Sequence, residues 1–147
     1  MARLRIAVPL IVALAWVTIA RAEPDNHPMR IAIVVGRSST IQEVSKDILR
    51  DVYLRRQRVW PDGTRVIPVN LPPGSAVRER FSQLVLGRST AELVSYWNAR
   101  YFEGIMPPAV LPSPAAIRAY LNAQPGAIAY LSADDVDDSC RSLLRLE

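Results

Sequence analysis

One cysteine, one histidine and one lysine are all that 147 residues contain of those three types. A single cysteine, Cys140, excludes an internal disulfide, so an apolar core must hold the fold by itself. Cys is among the most often buried residue types, and Cys140 reads as a small hydrophobe. With one histidine, His27, one cysteine and no carboxylates clustered at helical spacing, a zinc or transition-metal site has nothing to assemble from. The shortage of histidine bears on catalysis too. His27 precedes the patterned part of the chain and no Gly-x-Ser-x-Gly elbow occurs, so a Ser-His-Asp triad has no base. No glycine-rich phosphate loop carrying a lysine is present. Asp134, Asp135, Asp137 and Asp138 lack the alternating order and closing Glu of a calcium loop and read as a solvated turn. A non-enzyme without cofactor or metal is expected.

Long hydrophobic runs are also scarce. The one that stands out is Ile6 to Ala20, 15 residues behind the basic stretch Met1-Ala-Arg-Leu-Arg5 and ahead of Ala20-Arg21-Ala22. That is the layout of a signal peptide over 1–22, cleaved after Ala22, and it falls short of the roughly 20 residues of a membrane span. No later stretch approaches 18 apolar residues, so the expected mature protein is periplasmic or secreted and does not cross the membrane. Its charge is nearly balanced. Three of the 18 basic residues lie in the leader, which leaves 15 against 14 acidic ones, interleaved with no basic stripe. Nucleic acid is therefore not an expected partner. Half of the residues are apolar, which excludes a disordered chain, and the 125 residues after Ala22 make about one domain.

A polar lead-in over 23–29 precedes a single domain over 30–147. Arg30 to Val35 is a β-rich apolar run closed by Gly36, followed by the polar turn Arg37 to Thr40. Ser45 caps a helix with Leu49, Val52 and Tyr53 on one face. Trp60-Pro61-Asp62-Gly63 has the residues of a type I turn, and Arg65 to Val69 extends again. Ser75 caps the next helix, with Val77, Phe81, Leu84 and Val85 inward and Gly87 at its end. Ser89 and Glu92 form a capping box for a third helix whose expected core face is Leu93, Val94, Trp97 and Tyr101. Gly104 to Pro114 reads as a loop, Ser113-Pro114 as the start of a fourth helix, and 127–131 and 140–146 as strands. Alternation at this spacing predicts a three-layer α/β domain with a largely parallel sheet flanked by helices.

The order of these segments resembles one lobe of the phosphate-binding receptors of ABC transporters, the type 2 periplasmic binding proteins. The likeness rests on Ile31 to Thr40, Leu49 to Trp60, Asp62-Gly63, Val66 to Val69, Gly74-Ser75, Phe81, Trp97 and Pro125-Gly-Ala-Ile-Ala-Tyr130. It implies an exported protein that binds a small oxyanion, phosphate foremost, at a helix N-terminus. Receptors of this kind carry an arginine, then Ser-Gly-Thr, at the loop into that helix. Leu71 and Ser75-Ala76-Val77 stand there in this chain. The alternative is a ligand-free accessory module of the envelope with the same fold, acting through an envelope protein partner or as a homodimer.

The candidate ligand residues form two groups. Gly74, Ser75, Ala76 and Val77 open a helix, where free N–H groups and the positive helix end attract an oxyanion, and Arg78 supplies a cation one turn in. Arg37, Ser38, Ser39 and Thr40 follow the first strand and bring one cation and three hydroxyls. Both loops are expected at the ligand edge of a parallel sheet, where strands run into helix N-termini.

Overall fold

A computed structural model describes residues 29–147; the expected signal peptide, its cleavage after Ala22 and His27 lie outside them. Five strands, β1 (Ile31–Gly36), β2 (Ile67–Asn70), β3 (Ala109–Val110), β4 (Ala127–Ser132) and β5 (Cys140–Leu146), make one sheet in the order β3-β2-β4-β1-β5. Four helices, α1 (Lys46–Tyr53), α2 (Ala76–Phe81), α3 (Thr90–Phe102) and α4 (Pro114–Ala123), flank it. β2 pairs in parallel with β3 and β4. β1 runs antiparallel to both β4 and β5, so four of the five strands share one direction and β1 alone is reversed. The mixed, mostly parallel α/β sheet is the expected fold class.

Local chemistry accounts for the boundaries. Ser45, Ser75, Ser89 and Ser113 each accept a hydrogen bond from the third backbone N–H of the helix they precede, and Glu92 completes the capping box. Gly87, with φ of 67°, ends the π-helical turn Ser82–Leu86 that continues α2. Gly63 N donates to the Trp60 carbonyl at 2.9 Å, closing the expected turn, and Trp60 is buried with Nε1 on the Gly126 carbonyl. Two expectations need correction. Val94 and Tyr101 are 57% and 61% exposed, and of the expected face of α3 only Leu93 is buried, because α3 lies at the periphery with little of the molecule to cover it. The stretch 104–114 is also more than a loop, since Ala109 and Val110 add an edge strand beside β2.

The centre of the core is aromatic. Phe81 stacks on Tyr130 with centroids 3.9 Å apart and planes within 7°, and Tyr53 packs on both rings at 4.7 and 5.6 Å. Tyr53 Oη lies 3.0 Å from the Val69 carbonyl, and Tyr130 Oη donates to Asn70 Oδ1 at 3.0 Å. Burial lifts both phenols above their ordinary pKa of 10.0. Their folded pKa is higher than the unfolded one, so stability is intact below pH 10 and falls as pH climbs beyond it. Unfolding free energies from urea titrations between about pH 8 and 11.5 should decline by up to about 1.4 kcal/mol per pH unit for each phenol. Tyr53→Phe is expected to shed its share of that slope, and an unchanged slope would show that Tyr53 ionises freely in the fold. Cys140 is buried and burial raises its thiol pKa, as a small core hydrophobe requires.

Candidate functional site

The reversal of β1 separates the two loops that the sequence suggested would meet. In the register of β2 and β4, Ile67 lies opposite Ala127 and Pro68 opposite Ile128, so both strands end at one edge, near Asn70 and Tyr130. β1 runs the other way, with Ile31 opposite Ser132 and Val34 opposite Ala129, and Gly36 therefore leaves the sheet beside the start of β4. Arg37 to Thr40 stand at the edge opposite Gly74 to Arg78.

Most of the Arg37–Thr40 turn is spent on structure. Arg37 N donates to Asn122 Oδ1 at 3.2 Å, and Arg37 Nη1 donates to the Asp138 carbonyl at 2.7 Å. Ser39 is buried, with Oγ donating to the Pro125 carbonyl at 3.0 Å. Thr40 Oγ1 donates to Asp62, and this bond is the leading reason that the Asp62 carboxyl titrates below its usual range. Ser38 is exposed. The turn ties the end of β1 to α4, β5 and the Trp60 hairpin, and joins no group of the opposite edge.

Gly74 to Arg78 do come together. Gly74 has φ of 86°, a left-handed conformation that turns the chain out of the Leu71-Pro-Pro loop into α2. Ser75 N donates to the Pro72 carbonyl, and Ser75 Oγ accepts from Arg78 N at 3.3 Å. The N–H groups of Ala76 and Val77 lie in the first turn, where no intrahelical acceptor exists. Arg78 folds back over the loop, with Nη1 donating to the Leu71 carbonyl at 2.9 Å. Leu71 is the position where the resemblance would have an arginine. The Arg78 guanidinium also lies close enough to Tyr130 to oppose, by its charge, the lift that burial gives that phenol.

Two further residues belong to this edge. Asn70 closes β2 and accepts from Tyr130 through a buried side chain, and its backbone carbonyl accepts from Leu111 N. The signal in the sequence was a lone amide at the end of the apolar run Val66 to Val69. The edge thus combines helix-terminal N–H groups, a hydroxyl, a guanidinium that among the described residues spends one donor, on the Leu71 carbonyl, and a buried amide–phenol pair. Donors of these kinds, grouped at one spot, are of the chemistry that can meet an anion.

No family model and no curated protein sequence matches the chain. Solved structures do. An ABC-type phosphate transport receptor from Vibrio cholerae aligns at a TM-score of 0.62 and 18% identity, over 78% of this chain and 46% of that one. The fold is similar to that of somewhat less than half of this receptor. A protein from Clostridium perfringens, assigned as a phosphate ABC transporter substrate-binding protein and solved with bound phosphate, aligns at 0.63 and 19% identity over 78% and 45%. PstS from Borrelia burgdorferi aligns at 0.58 and 11% over 78% and 47%. The chain spans a little under half the length of these receptors.

Proposed function

We propose that this protein is an exported, non-enzymatic oxyanion-binding protein of the phosphate-receptor type, acting outside the cytoplasmic membrane. Its ligand is a small oxyanion, phosphate foremost, held at the start of α2 by Gly74, Ser75, the N–H groups of Ala76 and Val77, and Arg78. The observation that carries this reading is the return of Arg78 over the Leu71 carbonyl beside the first turn of α2. That brings a cation and unpaired N–H donors to one spot at the edge where β2 and β4 end. Arg37 to Thr40 have no part in the site.

One lobe offers one wall. Phosphate must shed water for a few charge-assisted bonds while its far side stays solvated, so affinity weaker than about micromolar is expected. Calorimetric titration with phosphate and sulfate, with amide NMR on the same samples, tests the reading. Saturable shifts centred on Ser75 to Arg78 are expected, and Arg78→Gln should weaken binding about tenfold with the melting temperature little changed. Absence of any shift in tens of millimolar phosphate would overturn the proposal in favour of a ligand-free accessory module.

A further inference from the structure

At the other edge of the sheet, three arginines face one another. Arg55 leaves the end of α1, and Arg58 and Arg65 sit on the small hairpin in which Val59 pairs with Arg65 and Val66 N donates to the Arg58 carbonyl. They line two adjoining clefts. One, of about 260 Å³, is bounded by Arg55, Arg65, Pro68, Pro107, Pro108 and Tyr120. The other, of about 240 Å³, is bounded by Arg55, Arg58, Arg65, Gly104, Ile105 and Met106. Arg55 and Arg65 are common to both. Among the described residues, the ion pairs engage Arg50, Arg56, Arg100 and Arg118, and none engages Arg55, Arg58 or Arg65.

The backbone adds an independent sign. Arg55 has φ of 60° and is the only non-glycine residue at positive φ among those described. It stands one place beyond the C-cap Leu54, the position at which helices usually carry glycine. The helix dipole welcomes a cation near this end, but Arg56, paired with Asp51, already supplies one and needs no left-handed backbone. Strain held at a single residue, with its charge set against two like charges in a concave site, is the pattern of a functional position. Arg55 is half-buried, and burial first, then the charges of Arg58 and Arg65, hold its guanidinium pKa below the ordinary value. An anion seated among the three guanidiniums would relieve that repulsion.

We infer that Arg55, Arg58 and Arg65 form a second anion site, distinct from the α2 terminus, for a compact anion bearing two or more phosphate or carboxylate groups. Each cleft is smaller than the roughly 300–1,000 Å³ of a drug-sized site, which suits a small ligand. Guanidinium forks take such oxygens two at a time, and two clefts sharing two arginines suit a ligand with more than one charged group.

Tripolyphosphate is the probe, with inorganic phosphate and ionic-strength-matched sodium chloride as references. Tripolyphosphate should raise the melting temperature of the wild-type protein and bind it saturably in calorimetry, at least tenfold more tightly than phosphate. Arg55→Gly suits the backbone and removes a charge. It should melt a few degrees higher than wild type without anion, yet lose most of the anion-dependent rise. Arg65→Gln should lose that rise as well, and Arg145→Gln, a change on an exposed residue of β5, should keep it. Equal rises in all variants, an equal loss in Arg145→Gln, or no rise in wild type would overturn the inference. Retention of the rise in Arg78→Gln is expected, and its loss there would place the anion at the α2 edge and overturn the inference too.

Discussion

Phe81→Ala lowers stability by about 3–5 kcal/mol, the range for deleting a buried aromatic side chain. Phe81 is 1% exposed, stacked on Tyr130 and packed against Tyr53, so its removal leaves both phenol rings without a neighbour on one side. Neither can swing in to fill the void. Tyr53 Oη is held at the Val69 carbonyl and Tyr130 Oη at Asn70 Oδ1, and breaking either bond would strand a buried polar group. Urea denaturation should show a lower midpoint with an unchanged m-value, and Phe81→Leu should recover part of the loss. Because Phe81 ends α2 and Tyr130 stands beside Arg78, the same variant should bind phosphate more weakly. A midpoint equal to wild type would mean that the aromatic centre is not the keystone of this core.

The contrast with α3 shows what periodicity can and cannot reveal. Phe81 and Trp97 lie on helices with equally regular apolar spacing, yet Phe81 is buried and Trp97 is half-buried beside the exposed Val94. Spacing says which residues share a face; it does not say whether anything packs against that face. The caps were legible because each depends on one side chain and a backbone N–H a few residues away. Ser45, Ser75, Ser89 and Ser113 all act as their surroundings imply. The edge strand Ala109–Val110 was not, being two residues long within a proline-rich stretch.

Strand direction was the costliest gap. Ile31 to Gly36 are buried throughout, as expected of a strand between two others, and a run buried on both faces carries no mark of which way it points. Alternating strands and helices suggested parallel pairing, but β1 lies between β4 and β5 and runs against both. That reversal sets Arg37 to Thr40 at the edge away from Ser75, so the proposed site draws on one loop where two were expected. The contacts of the proposed α2 site are local, since Ser75 and Arg78 bond within eight residues of Leu71. Their support is not, since the Asn70–Tyr130 bond joins residues 60 positions apart.

Gly126→Ala should cost roughly 3 kcal/mol or more, at or beyond the upper end of overpacking penalties. A Cβ at Gly126 would lie 2.1 Å from the Arg65 carbonyl oxygen and 3.2 Å from its carbon. A backbone carbonyl cannot rotate aside as a side chain can. Val66 N is bound to the Arg58 carbonyl and Ile67 N to that of Gly126, so the Arg65 peptide is pinned on both sides. Relief would require pushing the hairpin away from β4, which breaks the Ile67 bond and the bond from Trp60 Nε1 to the same Gly126 carbonyl. Gly63→Ala separates this clash from backbone strain. It has open space around it but φ of 85°, and should cost only about 1–2 kcal/mol. Thermal and urea midpoints of the two variants decide the matter, and Gly126→Ala no worse than Gly63→Ala would refute the clash. A second readout follows from topology. Gly126 accepts the bond that sets β2 beside β4, and that register brings Asn70 level with Tyr130 behind α2. Whatever Gly126→Ala remains folded should therefore bind phosphate less well, although the substitution lies at the far end of the strand.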